Sequence, residues 1–335
     1  MQLVSVIIPV YYNAASLPLL AQKLDILSGA NSQYGFEFIY VDDGSRDDSL
    51  SILYSLANQD NRIRVVKLSR NFGSNNAILA GMAVAKGDCV GFIAADIQDP
   101  PEAFTEMIQL WHQGTKVVFA VRKDRKGDPL ITRLFSYIFN YLFKRLVFKG
   151  LSPQGIGFFL IDRQVNDIII KCEEKNPHIF GLILWTGFSY VTLQYDREER
   201  RHGKSQWTFQ KKLKYFIDAF VAFSYLPIRI TSTLGLILAS FGGIYAAIVL
   251  VARFTHQIPV EGWTALMVVF LVLSGVQLIM LGIIGEYLWR NFDATRRRPT
   301  FIIEKCFNVD ERKMPTDTSN LSTQSTNSDE NSGMP

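Results

Sequence analysis

The sequence is poor in cysteine and carries little net charge. Three cysteines occur among 335 residues, too far apart to form a metal-ligand spacing or a disulfide framework, which is typical of a reducing cytoplasm. The formal net charge is +4, so the sequence does not indicate a nucleic-acid-binding surface. Residues 3–9 lack the basic start of a signal peptide and are interpreted as a first strand.

A glycine-rich phosphate loop is also missing. Neither GxGxxG nor GxxxxGK[ST] follows the first predicted strand. The sequence therefore does not predict phosphate held by backbone amides in the Rossmann or P-loop manner. A phosphate-bearing ligand would need a metal ion to neutralise its charge instead.

Two long uncharged stretches lie near the C-terminal end. Residues 230–252 and 262–285 contain no charged side chain, and each is long enough to cross a hydrocarbon core of about 30 Å. We predict a transmembrane hairpin of two helices over 228–289. Small residues on these stretches permit close helix packing and are compatible with a homo-oligomer; they are Ala239, Gly243, Gly275 and Gly282.

Basic residues flank this hairpin on both outer sides, within 200–214 and 290–298. The positive-inside rule then places both long ends of the chain in the cytoplasm. We expect a cytoplasmic segment over 290–310 and a disordered polar tail over 311–335.

Two further segments, 130–149 and 207–227, have amphipathic helical patterns with basic and aromatic faces. Such a helix either packs on a sheet or lies in the membrane interface. Both interpretations stay open for 130–149. For 207–227 we favour the interface, because the segment runs directly into the first uncharged stretch.

The remaining sequence, 1–206, alternates short apolar runs with helical patterns. Strands are predicted at 4–10, 36–41, 64–68, 89–95 and 117–121, and helices from about 16 and at 48–59, 75–85 and 102–113. A βαβ series of this kind predicts an α/β, Rossmann-like domain with a mostly parallel sheet.

Three predicted strands end in polar clusters, Tyr11–Asn13, Asp42–Asp43 and Asp96–Gln98. Open α/β sheets bind ligands at this carboxyl edge. Asp96 and Gln98 can address one ion only if the strand has given way to a turn, which Pro100–Pro101 favour. Their oxygen atoms suit Mg²⁺ or Mn²⁺. Alternatively, Asp96 only caps the helix that starts near Pro101.

Together these motifs resemble family 2 glycosyltransferases. Within that family they are similar to the membrane-anchored polyisoprenyl-phosphate glycosyltransferases, such as bactoprenol glucosyl transferase and, more distantly, dolichol-phosphate mannose synthase. The resemblance covers about 3–303. It is carried by SVIIPVYYN, VDDGSRD, NFGSNNAILAG, ADIQDPPE, the stretch Arg200–Trp207 and the closing GEYLWR.

The resemblance implies a nucleotide-diphospho-sugar transferase domain at the cytoplasmic face of the bacterial inner membrane, which moves a sugar with inversion onto a lipid phosphate. It implies that the base and ribose are held by Pro9, Tyr11, Asn13, Asp42 and Asp43. It implies a divalent metal on Asp96 and Gln98. It implies that the acceptor phosphate and leaving diphosphate meet Arg122, Arg133, Arg200, Arg201 and Lys204.

UDP-glucose and undecaprenyl phosphate are the favoured substrates, because the resemblance to bacterial glucosyl transferases is the nearer one. Mannose, N-acetylhexosamine and aminoarabinose transferases share the same frame and stay open. The sequence departs from the family at Ala94 and Gly157, where many relatives carry aspartate. These departures support a second hypothesis, a degenerate transferase that acts as a membrane scaffold. The retained acidic clusters support the enzyme, in which Asp96 is expected to be indispensable.

Overall fold

A computed structural model of the chain describes residues 1–123, 156–172, 174, 177–197, 226–254 and 262–309. The contacts divide the chain into two compact units, Met1–Phe216 with Pro299–Pro335, and Ile217–Arg298. The predicted amphipathic helix 130–149, most of the one at 207–227 and the predicted tail 311–335 lie outside the described residues. The domain boundaries drawn from the sequence stay a prediction.

The first unit contains an eight-stranded sheet in the order β7-β5-β6-β4-β1-β2-β3-β8. The pairs β1–β2, β1–β4, β2–β3 and β5–β7 are parallel, and β4–β6, β5–β6 and β3–β8 are antiparallel. The prediction of a mostly parallel α/β sheet is confirmed. The strands are β1 Leu3–Val10, β2 Gly35–Asp42, β3 Ile63–Leu68, β4 Cys89–Phe92, β5 Val117–Arg122, β6 Ile156–Asp162, β7 Tyr190–Tyr195 and β8 Ile303–Phe307.

Helices connect these strands, and two longer helices form the second unit. In the first unit they are α1 Leu17–Ala30, α2 Ser49–Gln59, α3 Ser74–Val84, α4 Ala103–His112, α5 Arg163–Ile169 and α6 Ile179–Trp185. In the second unit they are α7 Leu226–Phe254 and α8 Trp263–Thr295. The central strands β1, β2 and β4 are buried almost throughout, as expected for parallel strands covered on both faces.

The predicted strand 89–95 is shorter in the structure. Its ladder with β1 ends at Phe92, and Ile97 adopts a left-handed φ of 60°. A β-branched residue strongly disfavours that conformation, so the surrounding structure must hold this turn in place. The turn that Asp96 and Gln98 require is therefore present, three residues earlier than the apolar run suggests.

A buried ion pair connects the sheet near the start of β1. Arg64 Nη1 lies 2.5 Å from Glu37 Oε2, and both side chains are largely buried. The other Glu37 oxygen accepts hydrogen bonds from the Ser5 hydroxyl and from the Lys86 backbone N–H. This carboxylate therefore connects β1, β2, β3 and the turn that precedes β4.

We expect Glu37→Gln to lower the free energy of unfolding by about 3–5 kcal/mol, because it leaves the Arg64 charge buried without a counter-charge. Urea unfolding of the purified protein measures the change. Glu304→Gln is the matched control, since its ion pair with Lys67 is exposed and such pairs contribute at most about 1 kcal/mol. Equal effects of the two variants would contradict this account.

His178 caps α6 with its imidazole rather than with a hydroxyl. Gly181 N–H donates to His178 Nδ1 at 2.9 Å, and burial lowers the pKa of His178 to about 4. In the unfolded chain the His178 imidazole becomes protonated below about pH 6.5. In the folded protein it stays neutral until about pH 4. Stability is therefore lost as pH falls through that window.

The loss attributable to His178 is on the order of 3 kcal/mol between pH 6.5 and 4. Urea unfolding across this range measures it as the difference between the natural protein and His178→Asn, which keeps a capping acceptor but does not titrate. The difference should shrink as pH falls. A constant difference across the range would show that His178 does not titrate in this way.

In the second unit, the predicted span 230–252 falls within α7, and the predicted span 262–285 starts at Gly262, the N-cap of α8, and continues in that helix. Among the described residues, one stretch, Val272–Thr295, is both long and apolar enough to cross a membrane, with a mean hydropathy of 1.5. Thr231–Tyr245 is apolar but shorter, so the two-helix transmembrane hairpin is not confirmed and stays a prediction.

Candidate active site

The loops after β1, β2 and β4 are joined at the carboxyl edge of the sheet. Tyr12 N–H and Asn13 N–H donate to Ser45 and Ser49 at 3.2 and 3.1 Å, linking the loop after β1 to that after β2. The Ser16 hydroxyl donates to Ala95 O at 2.7 Å, linking the first loop to the turn after β4. The polar clusters that follow these three strands thus share one edge.

Asp43 holds the loop that follows β3. Its two carboxylate oxygens accept hydrogen bonds from Phe72 N–H at 2.7 Å and Gly73 N–H at 2.9 Å. Burial raises the pKa of Asp43 to about 6, against the opposing effect of these two donors. Gly44 is required here, because its φ is +75° and an added Cβ would lie 2.8 Å from the Arg70 backbone.

Asp42 has an unused oxygen. Its Oδ1 accepts Ser45 N–H at 3.3 Å, whereas Oδ2 is buried and has no hydrogen-bond partner among the residues that the structure describes. Burial raises the pKa of this carboxyl. A buried acceptor without a partner is costly, so Asp42 is suited to accept a hydrogen bond from a ligand.

Tyr11 and Asn13 form a compact turn after β1, the strand that contains Pro9. Tyr11 N–H donates to Asn13 Oδ1 at 3.0 Å, and Tyr12 between them has a φ of 57°. The rings of Tyr11 and Tyr12 meet edge to face, with their centroids 4.6 Å apart. The predicted donor-binding residues of β1 and β2 therefore lie on adjacent strands, with β1 and β2 paired in parallel.

The turn after β4 carries Asp96, Gln98 and Asp99. Asp96 Oδ1 accepts Gln98 N–H at 3.4 Å, and its side chain is partly exposed, whereas Asp99 is buried. The N-cap position of α4 is occupied by Glu102, six residues after Asp96, so Asp96 is not the N-cap residue of that helix. The turn presents one accessible carboxylate next to a buried one.

Asp99 is held by a residue far away in the sequence. The Tyr195 hydroxyl donates to Asp99 Oδ1 at 2.6 Å, and burial raises the pKa of both groups. Tyr195 ends β7, which pairs with β5 so that Arg122 lies opposite it. The Arg122 charge lowers the pKa of both Asp99 and Tyr195, although burial outweighs it. Arg122 therefore lies near this cluster, and its role toward the acceptor phosphate stays a prediction.

Gly157 provides the space that Tyr195 occupies. A Cβ built on Gly157 would lie 2.0 Å from the Tyr195 hydroxyl oxygen and 2.9 Å from its Cζ. The ring of Tyr195 also packs on Phe158, with 5.0 Å between centroids. The space beside Gly157 is thus filled by the Tyr195 hydroxyl, which is hydrogen-bonded to Asp99.

Arg197 lies between the two carboxylates of the turn. Its Nη2 is 3.8 Å from Asp96 Oδ2 and its Nε is 3.6 Å from Asp99 Oδ1. Burial, and then the charge of Arg122, lower the pKa of Arg197, but a guanidinium stays protonated in proteins. The Arg197 guanidinium therefore offsets part of the negative charge of this turn.

The donor set of this turn suits a hard divalent cation. Among the described residues, no three His, Cys, Asp or Glu side chains converge as a ready-made metal cage. Mg²⁺ usually binds through one or two protein ligands together with substrate phosphates, and Asp96 with Gln98 supplies such a pair. Arg197, a resident cation, already lies beside Asp96.

Several predicted residues lie outside the described residues, namely Arg133, Arg200, Arg201 and Lys204. The sequence reasoning did not assign roles to Asp99, Tyr195 and Arg197. Asp99 stands inside the motif that carries Asp96, and Arg197 shortly precedes the basic stretch at Arg200. These positions in the sequence could have indicated roles for Asp99 and Arg197. The contact between Asp99 and Tyr195, however, spans 96 residues and has no local sequence signature.

Comparison with known proteins defines the class. The family model "Glycosyl transferase family 2" matches residues 5–169. The Bacillus subtilis (strain 168) protein "Uncharacterized glycosyltransferase YkcC" is 34% identical over 92% of this chain and 96% of its own length. The "SfII prophage-derived bactoprenol glucosyl transferase" of Shigella flexneri is 31% identical over 90% of this chain and 97% of that protein.

Among solved structures, mannosyl-3-phosphoglycerate synthase from Rubrobacter xylanophilus matches 66% of this chain and 73% of its own, at 20% identity and a TM-score of 0.45. The α/β sheet with acidic loops at its carboxyl edge and the long sequence matches define a sugar-transferring enzyme. The chain belongs to glycosyl transferase family 2, and it is a glycosyltransferase.

Proposed function

We propose that this glycosyltransferase moves a sugar from a nucleotide diphosphate sugar onto a polyisoprenyl phosphate. UDP-glucose and undecaprenyl phosphate are the favoured substrates, with mannose, N-acetylhexosamine and aminoarabinose as alternative sugars. The observation that carries the proposal is the match to a bactoprenol glucosyl transferase over 90% of this chain. The partly exposed Asp96 carboxylate at the sheet edge supports it.

The nucleoside would bind across the ends of β1 and β2. The unpartnered oxygen of Asp42 suits a donor N–H of the base or a ribose hydroxyl. Tyr11 and Asn13, which follow Pro9, would flank it from the neighbouring loop. Asp43, whose oxygens hold the loop at 72–73, would keep this pocket in shape.

The diphosphate would bind at the turn after β4, where Asp96 and Gln98 would hold Mg²⁺ or Mn²⁺. When bound, that cation neutralises the leaving diphosphate. Arg122 would add positive charge from the end of β5, and the predicted residues Arg133, Arg200, Arg201 and Lys204 would meet the acceptor phosphate. Arginine suits this task because its planar fork matches phosphate oxygens.

In the proposed reaction an oxygen of the acceptor phosphate forms a bond to the anomeric carbon. The bond between that carbon and the β-phosphate oxygen breaks, and its electron pair leaves with the nucleoside diphosphate. Attack from the face opposite the leaving group inverts the anomeric centre. A phosphate monoester has a second pKa of about 6 and is largely dianionic at neutral pH, so no carboxylate base at position 157 is required to deprotonate it.

We also propose that the protein is multi-pass, with spans 230–252 and 262–285 in the bacterial inner membrane and both termini and the catalytic unit in the cytoplasm. The amphipathic segments 130–149 and 207–227 would lie in the membrane interface. The basic residues on both outer sides of the hairpin support this orientation. Small residues on the hairpin permit close packing of helices, so a homo-oligomer is compatible with the proposal.

The test is transfer from a panel of radiolabelled nucleotide sugars to undecaprenyl phosphate in detergent, with Mg²⁺, Mn²⁺ or EDTA. A glycolipid formed from one donor, and lost with EDTA, would support the proposal and identify the sugar. Measurable binding of a nucleotide sugar without product from any donor would favour the scaffold alternative instead.

A further inference from the structure

Arg197 supplies a positive charge to the turn that carries Asp96 and Asp99, but its distances to both carboxylates are long. Its distances to Asp96 and Asp99, 3.8 and 3.6 Å, exceed those of hydrogen bonds, which lie at 2.7–3.2 Å. Its Nε is buried and has no hydrogen-bond partner among the residues that the structure describes. A buried guanidinium N–H without an acceptor is suited to donate a hydrogen bond to an oxygen of a ligand.

The two carboxylates are not equivalent partners for Arg197. Asp99 is 3% exposed and already accepts the Tyr195 hydroxyl, so it is a fixed counter-charge. Tyr195 is two residues before Arg197 and is 5% exposed, so it also fixes the start of the segment that carries the guanidinium. Asp96 is more accessible, with a side chain 18% exposed. Of the two contacts, the one to Asp96 can therefore be exchanged.

We propose that Arg197 is the resident counter-cation of Asp96, and that a divalent cation and the donor diphosphate replace it together. The cation takes the Asp96 carboxylate, and Arg197, retained by Asp99, turns its N–H groups to a phosphate oxygen. A divalent cation alone would be repelled by the guanidinium, whereas a diphosphate supplies the missing negative charge. This inference rests on the proposed function, since it assigns the diphosphate and cation to the same turn.

Coupling of this kind is reciprocal between the two ligands. We expect Mn²⁺ alone to bind weakly to the natural protein, and UDP to raise its affinity for the protein at least about tenfold. In Arg197→Gln, Mn²⁺ alone should bind several-fold more tightly, and the gain produced by UDP should fall several-fold, to the part that direct contact between the cation and the diphosphate provides. Arg197→Lys keeps the charge, so Mn²⁺ alone should stay weak.

The experiment uses the full chain in detergent. Electron paramagnetic resonance of unbound Mn²⁺ gives the metal affinity, and calorimetry gives the UDP affinity with and without Mn²⁺, corrected for the complex they form in solution. Arg163→Gln is the matched control. It removes an arginine that is paired with Asp167. Arg163 follows Asp162, which lies opposite Cys89 at the start of β4, whereas the acidic turn follows the end of that strand. A thermal unfolding midpoint verifies that each variant is folded.

The inference is overturned if Arg197→Gln binds Mn²⁺ no more tightly than the natural protein, or if its gain from UDP is unchanged. It is also overturned if Arg163→Gln has the same effect, or if Mn²⁺ does not bind in the presence of UDP. Failure of the proposed function is separate. In that case no donor yields a glycolipid, while the Arg197-dependent coupling of Mn²⁺ and UDP is still measured.

Discussion

Asp96→Asn is expected to reduce the rate of sugar transfer about a thousandfold, with the chain still folded. The substitution keeps the size of the side chain but removes the carboxylate that would hold the divalent cation at the leaving diphosphate. Loss of one charge-stabilising group at a reacting centre typically costs 10²–10³ in rate or more. Initial rates of lipid-linked sugar formation at saturating donor and acceptor measure the effect.

Asp88→Asn is the matched control for this substitution. Its carboxylate accepts Leu3 N–H at 2.8 Å, at the start of β1 and therefore at the other end of the strands. It should retain close to natural activity. If Asp96→Asn kept full activity as well, the metal-assisted mechanism proposed for the turn would be wrong.

Gly157→Ala is expected to lower the free energy of unfolding by about 2–6 kcal/mol. Its Cβ would lie 2.0 Å from the Tyr195 hydroxyl oxygen, and Tyr195 is buried. Overpacking of this kind costs about 1–3 kcal/mol, and loss of the buried hydrogen bond to Asp99 adds about 1–3 kcal/mol. Gly157→Asp, which introduces the acid that the family resemblance led us to expect, meets the same clash and should lower activity rather than raise it.

Urea unfolding and transfer rate measure the effect of Gly157→Ala. Gly29→Ala in α1 is the control, because an added Cβ there meets nothing within 4 Å and alanine favours a helix. Tyr195→Leu should lose the hydrogen bond but create space, so the double variant should cost less than the sum of its parts. Full additivity of the two substitutions would show that Gly157 and Tyr195 do not compete for the same space.

The first half of the sheet could be predicted from the sequence because its strands are apolar runs separated by helical patterns. β6, β7 and β8 were not predicted. β6 Ile156–Asp162 is apolar, but it follows residues 124–155, which lie outside the described ranges. It lies between β4 and β5 and pairs antiparallel with both. β8 Ile303–Phe307 pairs with β3 from 235 residues or more along the chain. Such pairings depend on long-range contacts that no local pattern encodes.

The site shows the same division between local and tertiary information. The positions of Asp42, Asp43 and Asp96 near strand ends follow from local pattern, and so does a turn at Asp96, although the strand ends earlier than predicted, at Phe92. The environment of each carboxylate does not, because Asp99 meets Tyr195 only through the pairing of β5 with β7. From sequence, Gly157 is a missing acid. In the structure, its lack of a side chain makes room for the Tyr195 hydroxyl.

The most direct test of the account compares three acceptors with the donor that proves active: undecaprenyl phosphate, undecaprenyl diphosphate and undecaprenol. Mass spectrometry of the lipid products, with Mg²⁺ or Mn²⁺ present, identifies what is made. The account predicts a glycosylated undecaprenyl monophosphate with inverted anomeric configuration, and its absence with EDTA. Equal transfer to undecaprenol, or a product formed without any lipid phosphate, would contradict the central claim that the acceptor is a lipid phosphate.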